Sequence, residues 1–302
     1  MITAISGIKG SRLRRAAAVT VTAGAVLAGG AFAAAPAQAV TTPSIVAKGG
    51  YVMNNANAKT LYTKAADTKR STGSTTKIMT AKVVLAQSNL NLDKKVTIQK
   101  AYSDYIVKNT ASSAGLIVGD KVTVRQLLYG LMLPSGCDAA YALADTYGTG
   151  STRAARVKSF IGKMNKAATA LGLKNTHFDS FDGIGNGNNY STPRDLTKIA
   201  SSAMKNATFR TVVKTKKYTA KTITKTGSTR TMKTWVNTNG LLSSYSGTIG
   251  IKTGSGPEAK YCLVFAATRN GKTVIGTVLA STSIAQREAD AKKLMNYGFA
   301  VL

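Results

Sequence analysis

The chain has 302 residues, 41 Lys+Arg against 12 Asp+Glu, and a formal charge of +29. Hydrophobic residues make up 44%, enough for a packed core, so global disorder is excluded despite the charge. One histidine, His177, excludes multi-His metal sites; Cys137 and Cys262, without close CxxC spacing, exclude a zinc knuckle or thioredoxin-type motif, and no cofactor is expected. In chain order the first feature is a leader. Lys9, Arg12, Arg14 and Arg15 precede an uncharged run from Ala16 to Ala35, and then comes Ala37-Gln38-Ala39. A basic region, an apolar region and a small-x-small ending read as a secretory signal peptide over 1–39, cut after Ala39. The alternative, an uncleaved membrane anchor, is disfavoured because the run is built of Ala, Gly and Thr rather than Leu and Ile. Residues 40–302 keep 37 basic against 12 acidic residues, a charge of +25. On an exported protein that charge faces anionic cell-wall polymer rather than the genome, and the bases are scattered without aromatic interleaving, so no nucleic acid is expected.

Residues 45–53 and 60–64 are short β-like runs around an Asn-rich turn and predict a hairpin. From Ser74 the apolar spacing becomes helical, through Ile78, Met79, Val83, Val84 and Leu85. Residues 123–172 read as mostly helical: a segment with Leu127, Leu128, Leu131 and Leu133 broken at Pro134, a second over 139–143, and a third from about Arg153 to Leu171. Thr192-Pro193 followed by Asp195 marks another helix start. After about residue 210 the chain reads as β-rich, with strands expected at 248–254, 260–268 and 273–281 and a hairpin turn at Asn270-Gly271. A last amphipathic helix is expected from about Ala285 to Tyr297, with little after it to serve as an anchor. Strands from both ends around helices predict an α/β plus all-α fold: an antiparallel sheet of about five strands flanked by helices, with a helical insertion. The expected division is 40–92 with 211–302 as the α/β region and 93–210 as the mainly helical one, with the active site at their junction.

Three short segments carry chemistry in this order. Ser74-Thr75-Thr76-Lys77 opens a helix and puts a serine and a lysine on one face, one turn apart. Ser135-Gly136-Cys137 follows Leu131-Met132-Leu133-Pro134 at a break between helices. Lys252-Thr253-Gly254 lies on a predicted strand. SxxK alone recurs by chance in a chain rich in Ser and Lys; the ordered triple, each member in its matching context, is specific.

With these motifs the chain resembles the low-molecular-mass penicillin-binding proteins, the serine D-Ala-D-Ala carboxypeptidases and transpeptidases, and especially the secreted actinomycete enzymes. The resemblance spans 40–302 and extends to Asn175-Thr176-His177-Phe178, Tyr190-Ser191-Thr192 and Arg287-Glu288-Ala289. It implies a penicillin-binding/β-lactamase-like fold, peptidoglycan stem peptides as substrate and β-lactams as covalent inhibitors. By the same resemblance Ser74 is the nucleophile, Lys77 the general base, Ser135 a proton shuttle, and Lys252 a positive charge beside them. Thr253 and Arg287 would bind the substrate carboxylate, the N–H groups of Ser74 and Ser255 would form the oxyanion hole, and Gly254 completes the third motif.

Two departures stand out. The second motif usually ends in Asn, and here Cys137, a poor hydrogen-bonder, takes its place in substrate contact. After the third motif the chain reads Ser255-Gly256-Pro257-Glu258, which leaves the acceptor preference open. Cys137 also reads as a small buried residue or as a partner for Cys262, whose own default is a core thiol. His177 reads as a structural hydrogen-bonder, Asp179 and Asp182 as turn-formers, and Arg287, apart from the resemblance, as a solvated helix charge. A class A β-lactamase shares the triple but needs a deacylating glutamate between the second and third motifs, and no Glu lies between Cys137 and Lys252. A non-catalytic wall-binding module is the other alternative, and the intact Ser74, Lys77 and Lys252 argue against it.

Overall fold

The computed structural model describes residues 40–302; the leader and its cleavage point lie outside the described residues. The Asn-rich turn joins β1 (Gly49–Asn54) to β2 (Thr60–Lys64) as an antiparallel hairpin. The C-terminal strands are β3 (Thr248–Gly256), β4 (Lys260–Arg269) and β5 (Lys272–Ser281). Asn270 and Gly271 at the β4–β5 turn both have positive φ (48° and 72°), the conformation a tight hairpin requires and these two residues supply most readily. All five strands form one antiparallel sheet in the order β3-β4-β5-β1-β2.

Along β4 the side chains alternate between two cores. Cys262, Val264 and Ala266 belong to the core under the helical layer, while Leu263, Phe265 and Ala267 belong to the core under the C-terminal helix. Both faces are covered, so the strand reads as a nearly continuous apolar run.

The helices are α1 (Lys77–Leu85), α2 (Lys100–Asn109), α3 (Val124–Met132), α4 (Cys137–Tyr147), α5 (Arg153–Ala170), α6 (Pro193–Ala203), α7 (Ala207–Lys214), α8 (Leu241–Ser244) and α9 (Ile284–Ala300). Helix α9 closes one sheet face and α6 the other, where Thr197 and Thr277 hydroxyls meet at 2.8 Å. Helix α1 is the hub of the helical layer. Seven of its nine residues are buried, since α3, α4, α5, α6 and α7 all pack on it. Its apolar residues therefore surround it rather than forming a stripe. Helix α3 opens with a capping box between Thr123 and Gln126.

The sequence reading missed α2, in which Tyr102, Tyr105 and Ile106 sit at helical spacing. It also placed the change to β structure too early, since α7 runs to Lys214. Strands 95–97, 121–123, 221–223 and 229–231 build a second, four-stranded sheet. They are three residues long and dominated by Lys, Thr and Arg, too short for a period-2 signal.

Candidate active site

A 3-10 turn, Gly73–Thr76, leads into α1 and carries Ser74, and Lys77 is the first residue of α1. The turn is held from below. Thr72 and Thr76 hydroxyls bond each other at 2.8 Å, and the Asn189 amide donates to both at 2.9 Å. The Lys77 side chain, fully buried, brings Nζ to 2.8 Å from Ser74 Oγ. Two further acceptors flank the same nitrogen: Cys137 Sγ at 3.2 Å and the Asp182 carbonyl at 3.1 Å.

The second wall is the break between α3 and α4. Ser135 holds a left-handed φ of 66°, an uncommon conformation for a side-chain-bearing residue and one that clusters at functional sites. Its carbonyl accepts from Ser112 Oγ at 2.6 Å. Its own hydroxyl bonds neither Ser74 nor either lysine and lines the cleft. Asp138, at the start of α4, gathers the facing loop. Its carboxylate accepts from Ser113 Oγ and from the N–H groups of Ala114 and Leu116.

The third wall is β3. Lys252 is 1% exposed, and its Nζ donates to the Thr253 carbonyl at 2.9 Å. Burial pushes its pKa well below the ordinary lysine value, and the nearby charges of Lys77 and Arg287 push the same way. Thr253 presents its hydroxyl beside that of Thr238, 2.6 Å away. Gly254 passes so close to the turn that carries Ser74 that a Cβ there would lie 2.7 Å from the Thr72 carbonyl. Ser255 is exposed at the mouth. Arg287, near the start of α9, is 4% exposed, which rules out a solvated helix charge. Its Nε has no partner among the described residues, and burial lowers its pKa. Ser74, Ser135, Thr253, Gly254, Ser255 and Arg287 line one cleft of about 680 Å³, with Lys77 and Lys252 beneath it.

Cys137 is buried against Lys77, and desolvation raises its pKa more than the lysine lowers it. Cys262 sits in β4 with its thiol pushed up to about 11 by burial. Both cysteines are free, so the alternative of a bridge between them is not realised. His177 bonds the Asn188 carbonyl through Nδ1 at 2.8 Å and is exposed, away from the cleft. Asp182 corrects the sequence reading. It caps a turn at Ile184, but it is also fully buried, takes the Tyr105 hydroxyl at 2.9 Å and places its carbonyl on Lys77. Asp182, Ser112 and Thr238 carried no motif signal, because their place at the site comes from chain folding alone.

A family model for D-alanyl-D-alanine carboxypeptidase matches residues 36–283. The chain belongs to that family. It is 82% identical over 290 residues to the D-alanyl-D-alanine carboxypeptidase of Streptomyces sp. (strain K15), covering 96% of this chain and 100% of that protein. The solved structure of the Streptomyces K15 DD-transpeptidase superposes with a TM-score of 0.86 at 86% identity, covering 86% of this chain and all of that one. The D-alanyl-D-alanine carboxypeptidase DacF of Bacillus subtilis (strain 168) is 31% identical over 257 residues, 84% of this chain but 62% of that protein. The chain thus spans less than two thirds of that more distant relative. The sheet of five antiparallel strands and its helices is the fold of these DD-peptidases.

Proposed function

We propose that this DD-peptidase cleaves the terminal D-Ala-D-Ala bond of peptidoglycan stem peptides through an acyl-enzyme on Ser74, and passes the acyl group to water or to an amine. The observation that carries the reading is the contact of Lys77 Nζ with Ser74 Oγ at 2.8 Å, inside a buried shell. A neutral lysine amine has two N–H groups and one lone pair. Those two hydrogens match Cys137 Sγ and the Asp182 carbonyl, which leaves the lone pair for the Ser74 hydroxyl proton. Burial and the charge of Lys77 both push the Lys252 pKa down.

Ser74 Oγ attacks the carbonyl carbon of the penultimate D-Ala as Lys77 takes its proton. The C–N bond then breaks, and that proton reaches the departing amine through Ser135. Arg287, with the Thr253 hydroxyl, holds the terminal carboxylate, and Lys252 lies beside the leaving amine. The N–H groups of Ser74 and Ser255 receive the oxyanion. Water or an amine then attacks the ester carbonyl and frees Ser74, giving hydrolysis or transfer.

Residues 40–92 with 211–302 form the α/β region in this reading, 93–210 the mainly helical one, and the site lies at their junction. The lack of any Glu from 138 to 251 supports a β-lactam adduct that persists rather than one that is hydrolysed. Export with cleavage after Ala39, and a +25 surface held to anionic wall polymer, complete the reading. Among the described residues no helix is long and apolar enough to cross a membrane.

Intact mass spectrometry after penicillin, then after a D-Ala-D-Ala peptide with an amine acceptor, tests the whole. A stable adduct on Ser74 and both hydrolysed and transferred products are expected. Rapid penicillin turnover without an adduct would refute it.

A further inference from the structure

The cleft has a neighbour on the side of Ser135. Pro134, which lines the cleft next to Ser135, also lines a separate pocket of about 600 Å³. The loop that gives Ser112 to the cleft continues into this pocket as Ser113, Ala114 and Gly115, and the chain reaches Thr238 of the cleft from Met232, Trp235 and Val236 of the pocket. The partition between the two spaces is tied on both sides. Trp235 Nε1 donates to the Ala114 carbonyl at 2.7 Å, Asp138 takes the N–H groups of Ala114 and Leu116, and the Thr238 N–H donates to the Leu133 carbonyl at 3.1 Å.

Buried Met232 and Trp235 give the pocket an apolar floor, and Ile117 and Val236 stay 38% and 53% exposed on its walls. Its charged lining residues are Arg230 and Lys233, with no acid among them. Arg230 Nε is committed to the buried carboxylate of Asp120 at 2.9 Å. Lys233 is exposed, and no carboxylate or other hydrogen-bond acceptor engages its Nζ among the described residues. An apolar trough with an uncommitted ammonium group suits a carbon chain that carries a carboxylate.

The chemistry of transfer says what can arrive there. In the catalytic reading above, on which this inference rests, an amine departs past Ser135 as the acyl-enzyme forms. Transfer runs that step backwards with a different amine, so by microscopic reversibility the acceptor nitrogen enters where the leaving nitrogen departed. The leaving D-Ala carries its carboxylate one carbon from that nitrogen, within the hold of Arg287 and Thr253. An acceptor whose amine ends a side chain carries its carboxylate farther away, and the rest of it must run out of the cleft. Pro134 lies on a path that leads to Lys233. We infer that this pocket is the acceptor subsite: it holds the body of an amine-bearing peptide, with a carboxylate of that peptide against Lys233.

The test measures the ratio of transfer to hydrolysis from one D-Ala-D-Ala peptide donor. The acceptors are ω-amino acids from 4-aminobutanoate to 8-aminooctanoate and the corresponding amides, which keep each chain and remove its charge. In the wild type the ratio for the carboxylate should exceed that for its amide by about threefold at the best-fitting length, the effect of a solvated ion pair. Lys233→Gln should make carboxylate and amide equal, and Lys233→Glu should turn the preference toward an α,ω-diamine. Equal ratios at every length in the wild type, or a carboxylate preference unchanged in Lys233→Gln, would overturn the subsite, and a penicillin adduct on Ser74 in the same preparations would leave the peptidase reading standing. Hydrolysis with transfer to none of these amines would overturn the subsite together with the transfer half of that reading. Absence of the adduct would overturn both readings.

Discussion

The floor and the rim of the cleft are built on opposite terms. On the floor, Lys77, Cys137, Asp182 and Lys252 are all nearly or fully buried, and Lys77 alone contacts three of its neighbours. At the rim, Ser255, Gly256, Pro257 and Glu258 are exposed, and Ile184 is 38% exposed. A buried charge has its protonation set by the protein around it, whereas an exposed one is screened by water. Protonation on the floor is therefore set by its packed neighbours, and at the rim by the solvent.

The sharpest test of the floor is Ser74→Ala, which should abolish labelling by fluorescent penicillin; any residual labelling at the wild-type rate would show that the nucleophile lies elsewhere. Lys77→Ala should lower the acylation rate by about 10²–10⁴-fold, the usual contribution of a positioned base, measured by stopped-flow penicillin binding. Gly183→Ala probes the seam between floor and rim. Its Cβ would strike the Gly73 backbone, so the turn that carries Ser74 must shift, and acylation should fall about 10-fold or more with a lower Tm. Lys252→Met separates function from stability. It should be inactive toward D-Ala-D-Ala peptide yet more stable at neutral pH by roughly 1–2 kcal/mol in urea, because an uncompensated amine leaves the core.

The same lysine sets a pH dependence. Its folded pKa lies below the unfolded 10.5, so the unfolded chain binds the extra proton between the two values. Stability should therefore rise with pH across that window, and the rise should vanish in Lys252→Met. The smallest effect is expected from Cys137→Asn, which should leave penicillin acylation in place and change peptide turnover. Turnover equal to wild type would mean that the thiol contact to Lys77 carries no weight.

Much of this arrangement was readable in the residues. The alternation and turn chemistry of 45–64 and 248–281 predict all five sheet strands, and SxxK, Ser135-Gly136-Cys137 and KTG are the segments that the fold brings to one cleft. What could not be read depends on distance in space rather than along the chain. Asp182 looks like a loop residue until folding brings Tyr105 and Lys77, 77 and 105 residues away, against it. The left-handed backbone of Ser135 has no glycine to announce it. The two threonines that take the Asn189 amide lie more than a hundred positions earlier. Helix α2 is different in kind, since the helical spacing of Tyr102, Tyr105 and Ile106 is present in the sequence itself.

The position of β1 in the sheet bears on the order in which the molecule can be made. Gly49 pairs with Leu279 and Asn54 with Val274, so one of the first strands to be synthesised waits for one of the last. Until β5 exists, β1 and β2 have a single tight turn and no sheet to join, and an isolated hairpin is marginal in water. The chain is thus kept from closing its core until nearly all of it has been made. The cleft, whose third wall is β3 and pairs with β4, is therefore among the last features of the molecule to be assembled.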